Sequence, residues 1–263
     1  MMSETNPTYA LITGASKGIG KAMAIALAKR KINLLLVARS VTALDELQRE
    51  IQASYAVKVH SLAIDLTEPN AAPDLYQWVL KKEVNISILI NNAGYGLWGN
   101  FGALSLPEQL EMCQLNMNMV TSLCHYFLPM LQKEKQAYIL NVCSTAAYQA
   151  VPTLAIYSAT KAFVLSFTRA LRFELKSGPV SVTCLSPGPV DTGFAERAGL
   201  DAFSKMAEKF NMKPDDVAEI AIKGMFAKKS EIIPGFTNII SVYANRILPK
   251  AFIEKMAAGI YKT

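Results

Sequence analysis

The chain predicts an α/β fold, a doubly wound parallel β-sheet with helices on both faces. Three observations carry this expectation. Strand-sized apolar runs alternate with longer helical runs between residues 9 and 185, the order of a parallel sheet whose strands are joined by right-handed crossovers. The first strand runs into a glycine-rich turn that opens the first helix. Later strands end in small or polar residues, Asp65, Asn91-Asn92, Ser144 and Ser186, at the edge where such sheets bind ligands. With 263 residues and 51% apolar composition the chain can bury a large core. No repeat, low-complexity tract or linker divides it, so one domain over residues 1–263 is expected.

Residues 9–13 form the first strand, followed by Gly14-Ala15-Ser16-Lys17-Gly18-Ile19-Gly20 and a helix over 21–30. Strand, glycine turn and helix start bring backbone N–H groups and a helix N-terminus against a pyrophosphate. The glycines fall as G-x-x-x-G-x-G, which differs from the common dinucleotide fingerprint, and a purely structural turn is the competing reading. The second strand, 32–38, ends at Arg39-Ser40. An acid at this point favours a free ribose 2′-OH, whereas arginine accommodates a 2′-phosphate. Arg39 and Lys17 can converge on one phosphate and argue for NADP over NAD; otherwise both are ordinary surface cations.

A helix over 42–54 leads to a strand over 57–64 that ends in Asp65-Leu66. Asp65 reads either as a hydrogen-bond partner for an adenine or as a turn residue before Thr67, Glu68 and Pro69. A helix over 74–82 and a strand over 86–90 follow, the latter running into Asn91-Asn92-Ala93-Gly94, where small residues permit the close approach of a ribose. The aromatics of Tyr95-Gly96-Leu97-Trp98-Gly99 line a pocket or simply pack. A Met- and Leu-rich helix over 107–133 carries Asn116 in its interior, where an indifferent helix former is expected to kink the helix and offer a carbonyl to an ordered water.

The strand over 137–143 ends at Ser144-Thr145-Ala146-Ala147 and the helix over 156–176 holds Tyr157 and Lys161. Four residues apart on a helix, these two share a face. A cation beside a phenol favours the phenolate and brings its pKa towards neutrality, which makes the pair an acid/base device. Taken alone it is equally a solvated lysine beside a half-buried tyrosine. A strand over 180–185 ends in Ser186-Pro187-Gly188-Pro189-Val190-Asp191-Thr192. Residues 193–213 alternate apolar and charged positions and are expected to form an amphipathic lid, of the kind that covers an apolar ligand. Pro214 opens a helix to about residue 227, and 231–234 is a last strand. The tail, 238–263, is helical and apolar, broken at Pro249, and docks on the domain, on another subunit or on a membrane surface.

The net charge of +6 and a pI near 9.0 come from dispersed basic residues without a stripe, which argues against nucleic acid. No apolar run reaches the roughly 18 residues that a membrane-spanning helix needs. Cys113, Cys124, Cys143 and Cys184 lack metal or disulfide spacing, so a reducing compartment, the cytoplasm, is expected. His60 and His125 read as structural histidines, and no metal site is expected.

The joint order of Thr13-Gly14-x-x-x-Gly18-x-Gly20, Asp65, Asn91-Asn92-Ala93-Gly94, Asn116, Ser144, Tyr157-x-x-x-Lys161 and Pro187-Gly188-x-Val190-x-Thr192 resembles the short-chain dehydrogenase/reductase family over nearly the whole chain. Within it, the chain is similar to a general bacterial-type group, itself similar to 3-ketoacyl-CoA reductases and hydroxysteroid dehydrogenases. The resemblance implies a Rossmann-like fold and hydride transfer between NADP(H) and a carbonyl or secondary alcohol. It implies that Ser144 binds the substrate oxygen, Tyr157 exchanges its proton, Lys161 tunes Tyr157 and holds the nicotinamide ribose, and Asn116 binds a relay water.

Cofactor contacts are implied at Gly14, Ser16, Lys17, Gly18, Ile19 and Gly20, at Arg39, Ser40, Asp65 and Leu66, and at Asn92, Ala93 and Gly94. They are implied also at Tyr157, Lys161, Pro187, Gly188, Val190 and Thr192. A homodimer or homotetramer through the helices over 107–133 and 156–176 is implied as well. The apolar loops suggest a hydrophobic small-molecule substrate. The alternative is a non-catalytic, NADP-sensing regulator or scaffold on the same fold; such a protein is expected to lose Tyr157 or Lys161, and both are present.

Overall fold

The computed structural model describes residues 8–194 and 211–260. Its centre is an open sheet of seven parallel strands: β1 (Thr8–Thr13), β2 (Asn33–Ala38), β3 (Val59–Ala63), β4 (Asn85–Asn91), β5 (Ala137–Val142), β6 (Val180–Leu185) and β7 (Glu231–Ile232). Their order is β3-β2-β1-β4-β5-β6-β7. Chain direction across the sheet therefore reverses between β1 and β4, and the crevice at that switch point is where this topology binds ligands. The central strands are nearly continuous apolar runs because both faces are covered; Leu11 opposite Leu35 and Ile12 opposite Ile90 are wholly buried.

Helices α1 (Gly18–Ala28) and α2 (Val41–Ser54) cover one face. The other carries α3 (Ala71–Lys81), α4 (Leu106–Cys113), α5 (Val120–Leu131) and α6 (Ala155–Glu174). Helix α7 (Pro214–Phe226) joins the first group, and its Glu219 takes both terminal nitrogens of Arg30, just beyond α1, at 3.2 and 2.7 Å. The alternation of elements and the two-faced layering agree with the sequence expectation.

Boundaries differ where turns decide them. Helix α1 begins at Gly18, three residues before the expected start. The helix expected over 107–133 is instead α4 and α5 joined by a π-helical turn, Gln114–Met119, and Asn116 lies in that turn. A π-turn accommodates an extra residue inside a helix, and here it supplies the expected irregularity. Strand β7 is two residues long, not four.

The amphipathic stretch expected over 193–213 lies outside the described residues except at its ends. The tail forms α8 (Phe236–Ile247) and α9 (Lys250–Ile260), divided at Pro249 as expected. Of the three docking modes left open for it, contact with the rest of the chain is realised on one side, where Val242, Asn245, Ile253 and Ala257 are buried. No helix among the described residues is long and apolar enough to cross a membrane.

Candidate active site

The turn after β1 is built by its neighbour at the switch point. Asn92, at the end of β4, donates from Nδ2 to the carbonyls of Thr13 (2.9 Å) and Gly14 (3.1 Å). The N–H groups of Asn92 and Ala93 donate in return to Thr13 Oγ1 at 3.0 and 3.1 Å. Gly14 and Gly18 have φ of 65° and 56°, the left-handed region that side chains resist. A Cβ at Gly14 would stand 2.7 Å from Asn92 Nδ2. Lys17 precedes α1 in an extended conformation and gives it no side-chain cap, so the first N–H groups of the helix are left to a ligand.

A cavity of about 760 Å³ runs from this turn along the switch point. Ser16, Lys17, Gly18 and Ile19 form one end. Arg39, Ser40, Asp65 and Leu66 stand beside it at the ends of β2 and β3. Ser40 also caps α2, accepting from the Ala43 N–H at 3.2 Å. Asp65 takes the turn role as well, since its Oδ1 accepts from the Thr67 N–H (3.0 Å) and hydroxyl (2.8 Å), while its other oxygen lies 3.8 Å from Arg39. Asn92, Ala93 and Gly94 line the middle, and Pro187, Gly188, Val190 and Thr192 the opposite wall.

At the far end Ser144, Tyr157 and Lys161 meet. Tyr157 and Lys161 are buried on the first turns of α6. The Lys161 ammonium donates to the Val142 carbonyl at 3.0 Å and lies 5.8 Å from the centroid of the Tyr157 ring. Burial holds the Lys161 pKa below the ordinary lysine value. Ser144 Oγ accepts from the Ala146 N–H at 3.1 Å, capping the short turn Thr145–Tyr148 and leaving its own O–H to donate.

Two expected site residues stand behind the wall. Gly20 does not line the cavity. It lies against the turn itself, where a Cβ would come within 2.2 Å of the Gly14 carbonyl oxygen. Asn116 does not line the cavity either, and its side-chain carbonyl, expected to meet a water, accepts from the Tyr95 N–H at 3.2 Å. Its Nδ2 donates to the Tyr95 carbonyl (2.9 Å) and to Thr160 Oγ1 (3.1 Å), the residue before Lys161.

The loop aromatics pack instead of lining the cavity: Tyr95 is buried and Trp98 lies against the core. Tyr148 also turns away from it, donating to Glu231 and lying 2.9 Å from Ser186 Oγ. Cavity residues that the sequence did not single out include Val151 and Leu154, with Asn238 and Ser241 from α8. Phe194 lies 5.4 Å from the Tyr157 ring, centroid to centroid. An apolar pair before α6 was a legible signal; Asn238, whose contact with Gly188 spans fifty residues, left none.

The chain matches the short chain dehydrogenase family over residues 8–202. It is 30% identical to human 17-beta-hydroxysteroid dehydrogenase type 3, covering 90% of this chain and 76% of that one. The structure of a short-chain dehydrogenase from Sphingobium yanoikuyae in complex with NADPH superposes with a TM-score of 0.81 at 30% identity, over 92% of this chain and 93% of that one. A Burkholderia phymatum short-chain dehydrogenase/reductase in complex with NAD gives 0.82 at 25% identity, over 92% and 94%. Fold, switch-point cavity and family match together make the chain an oxidoreductase of the short-chain dehydrogenase/reductase family.

Proposed function

We propose that the protein moves a hydride between NADP(H) and the carbonyl or secondary alcohol of an apolar substrate, with Tyr157 as general acid/base. One observation carries the reading. The buried Lys161 ammonium faces Tyr157 at one end of a cavity whose other end is the uncapped N-terminus of α1. That geometry fits a nicotinamide dinucleotide, with its pyrophosphate on the turn and its nicotinamide beside Tyr157. When bound, the dinucleotide supplies or accepts the hydride.

The chain's own groups do the remaining work. Ser144 donates to the substrate oxygen, and Tyr157 gives or takes the proton there. Lys161 favours the phenolate electrostatically and thereby brings the Tyr157 pKa towards neutrality. Asn116 holds the Tyr95 backbone and Thr160, and so fixes the wall beside Lys161. Relatives in complex with NADPH and with NAD are both similar to this chain, so the preference for NADP rests on Arg39 and Lys17 at the ribose end. Leu115, Val142, Val151, Leu154 and Phe194 give the nicotinamide end an apolar lining, and the likeness to a hydroxysteroid dehydrogenase points to bulky apolar alcohols and ketones.

The enzyme is read as one catalytic unit in the cytoplasm. It is read as a homodimer or tetramer through α4, α5 and α6, on which Leu106, Leu110, Phe163 and Phe173 are exposed. An NADPH-oxidation screen over steroid ketones, 3-oxoacyl thioesters, quinones and xenobiotic ketones tests the activity. Carbonyl-dependent oxidation in at least one apolar class is expected. Tight NADPH binding with no turnover in any class would favour a sensor instead.

A further inference from the structure

Helix α8 is amphipathic the wrong way round for a helix that only packs on its own chain. Its inner side carries Val242 and Asn245, both buried, while Phe236, Ile240, Tyr243 and Ile247 recur at helical spacing on the outside. They are far from marginal surface residues: Phe236 is 76% exposed and Ile247 83%. The stripe runs over the twelve residues from Phe236 to Ile247, about 16 Å at 1.5 Å rise per step. On α9, Phe252 and Met256 repeat the pattern one turn apart, both 52% exposed, while Ile253 and Ala257 face inward. Single exposed apolar residues are ordinary, but a continuous stripe of this kind marks a contact surface.

Charge indicates what covers it. From residue 236 to the C-terminus the chain has Arg246, Lys250, Lys255 and Lys262 against a single acid, Glu254. Lys250 and Lys255 are exposed on the same helix as Phe252 and Met256. Apolar side chains edged by lysines match the boundary between acyl chains and anionic headgroups, where such a helix lies in the interface plane. A second copy of the chain is a poorer match. A two-fold contact sets the same patch against itself and brings each copy's cations close to their equivalents.

We propose that the outward stripe of α8 and α9 docks the enzyme on an anionic lipid surface. The inner side of α8 reaches the cavity through Asn238 and Ser241, so docking sets the cleft beside the bilayer. An apolar substrate dissolved there reaches Tyr157 along α8; that consequence rests on the substrate reading above, whereas the docking does not.

Co-sedimentation of the full chain with phosphatidylcholine vesicles, with and without phosphatidylglycerol, tests it. The protein is expected to pellet with the anionic vesicles and to be released by salt. The double variant Ile240→Glu/Ile247→Glu should partition at least roughly tenfold less, since each change removes a large apolar burial. Lys250→Glu/Lys255→Glu should weaken binding to the anionic vesicles alone, by roughly tenfold or more. NADPH titration of both variants should match the parent, which separates lost docking from lost folding and from failure of the catalytic reading. Absence of vesicle binding by the intact chain, or undiminished binding by both variants, would overturn the proposal. So would light scattering in which the isoleucine variant breaks a parent oligomer that binds no vesicles, because the stripe would then seat a second copy.

Discussion

Asn116 grips the backbone of Tyr95 at both polar ends, donating to its carbonyl at 2.9 Å and accepting from its N–H at 3.2 Å. The pair ties the π-helical turn between α4 and α5 to the loop after β4, and the third bond, to Thr160, ties both to α6. Asn116→Ala removes three hydrogen bonds, two to the Tyr95 backbone and one to Thr160, each worth about 0.5–1.5 kcal/mol net. Urea unfolding should show a loss of at least that size, with turnover falling alongside. A variant as stable as the parent would mean that the clamp does not hold in solution.

Gly20→Ala places a methyl against the Gly14 carbonyl, which approaches to 2.2 Å of the ideal Cβ position. Overpacking of this kind typically costs about 1–3 kcal/mol, and here the displaced atom belongs to the turn proposed to hold the pyrophosphate. Fluorescence titration should show NADPH affinity reduced together with stability. Unchanged affinity would place the turn outside the binding site.

Arg39→Asp tests the cofactor preference. Asp65 already lies 3.8 Å from Arg39, so the substitution both removes a cation and puts two carboxylates at the proposed ribose end of the cavity. A lost hydrogen bond to a charged group is worth about 1.5–3 kcal/mol, so NADPH should bind at least roughly tenfold more weakly while NADH is spared. Equal effects on the two cofactors would remove Arg39 from the argument.

The Arg30–Glu219 pair joins the C-terminal end of α1 to α7. Its hydrogen bonds to Arg30 hold the Glu219 carboxyl below its ordinary 4.5. Because the folded-state pKa is depressed, the stabilisation is complete above the unfolded value and is lost as pH falls through the folded one. Both side chains are partly exposed, at 28% and 37%, so Glu219→Gln should cost only about 0.5–1 kcal/mol near neutrality. The gap between parent and variant, followed by thermal unfolding, should close on acidification below pH 4.5. A gap that persists there would show that packing, not charge, is lost.

The sheet was legible because its signals are local. Buried strands such as Leu34 to Val37 are unbroken apolar runs, and glycines at φ near 60° mark a turn that few other residues form. Tyr157 and Lys161 lie on one helix, so their meeting follows from spacing alone. Contacts between distant parts of the chain leave no such trace. The partner of Asn116 is 21 residues away, and Tyr148 bonds Glu231 from 83 residues away. A π-turn obeys neither the 3.6-residue period nor the strand period, so the break in the helix over 107–133 was legible only through Asn116. The periodicity of the tail was plain, but a helical period does not say which face turns outward. In α8 the apolar stripe Phe236, Ile240, Tyr243 and Ile247 is the exposed one.

The most direct test of the account is single-turnover NADPH oxidation by Tyr157→Phe with a substrate found in the screen. The phenyl ring keeps the packing against Phe194 and removes only the hydroxyl. General acid/base catalysis contributes typically about 10²–10⁴-fold, so the rate should fall by at least that lower bound while NADPH binds as it does to the parent. Turnover near the parent rate would contradict the assignment of the proton to Tyr157.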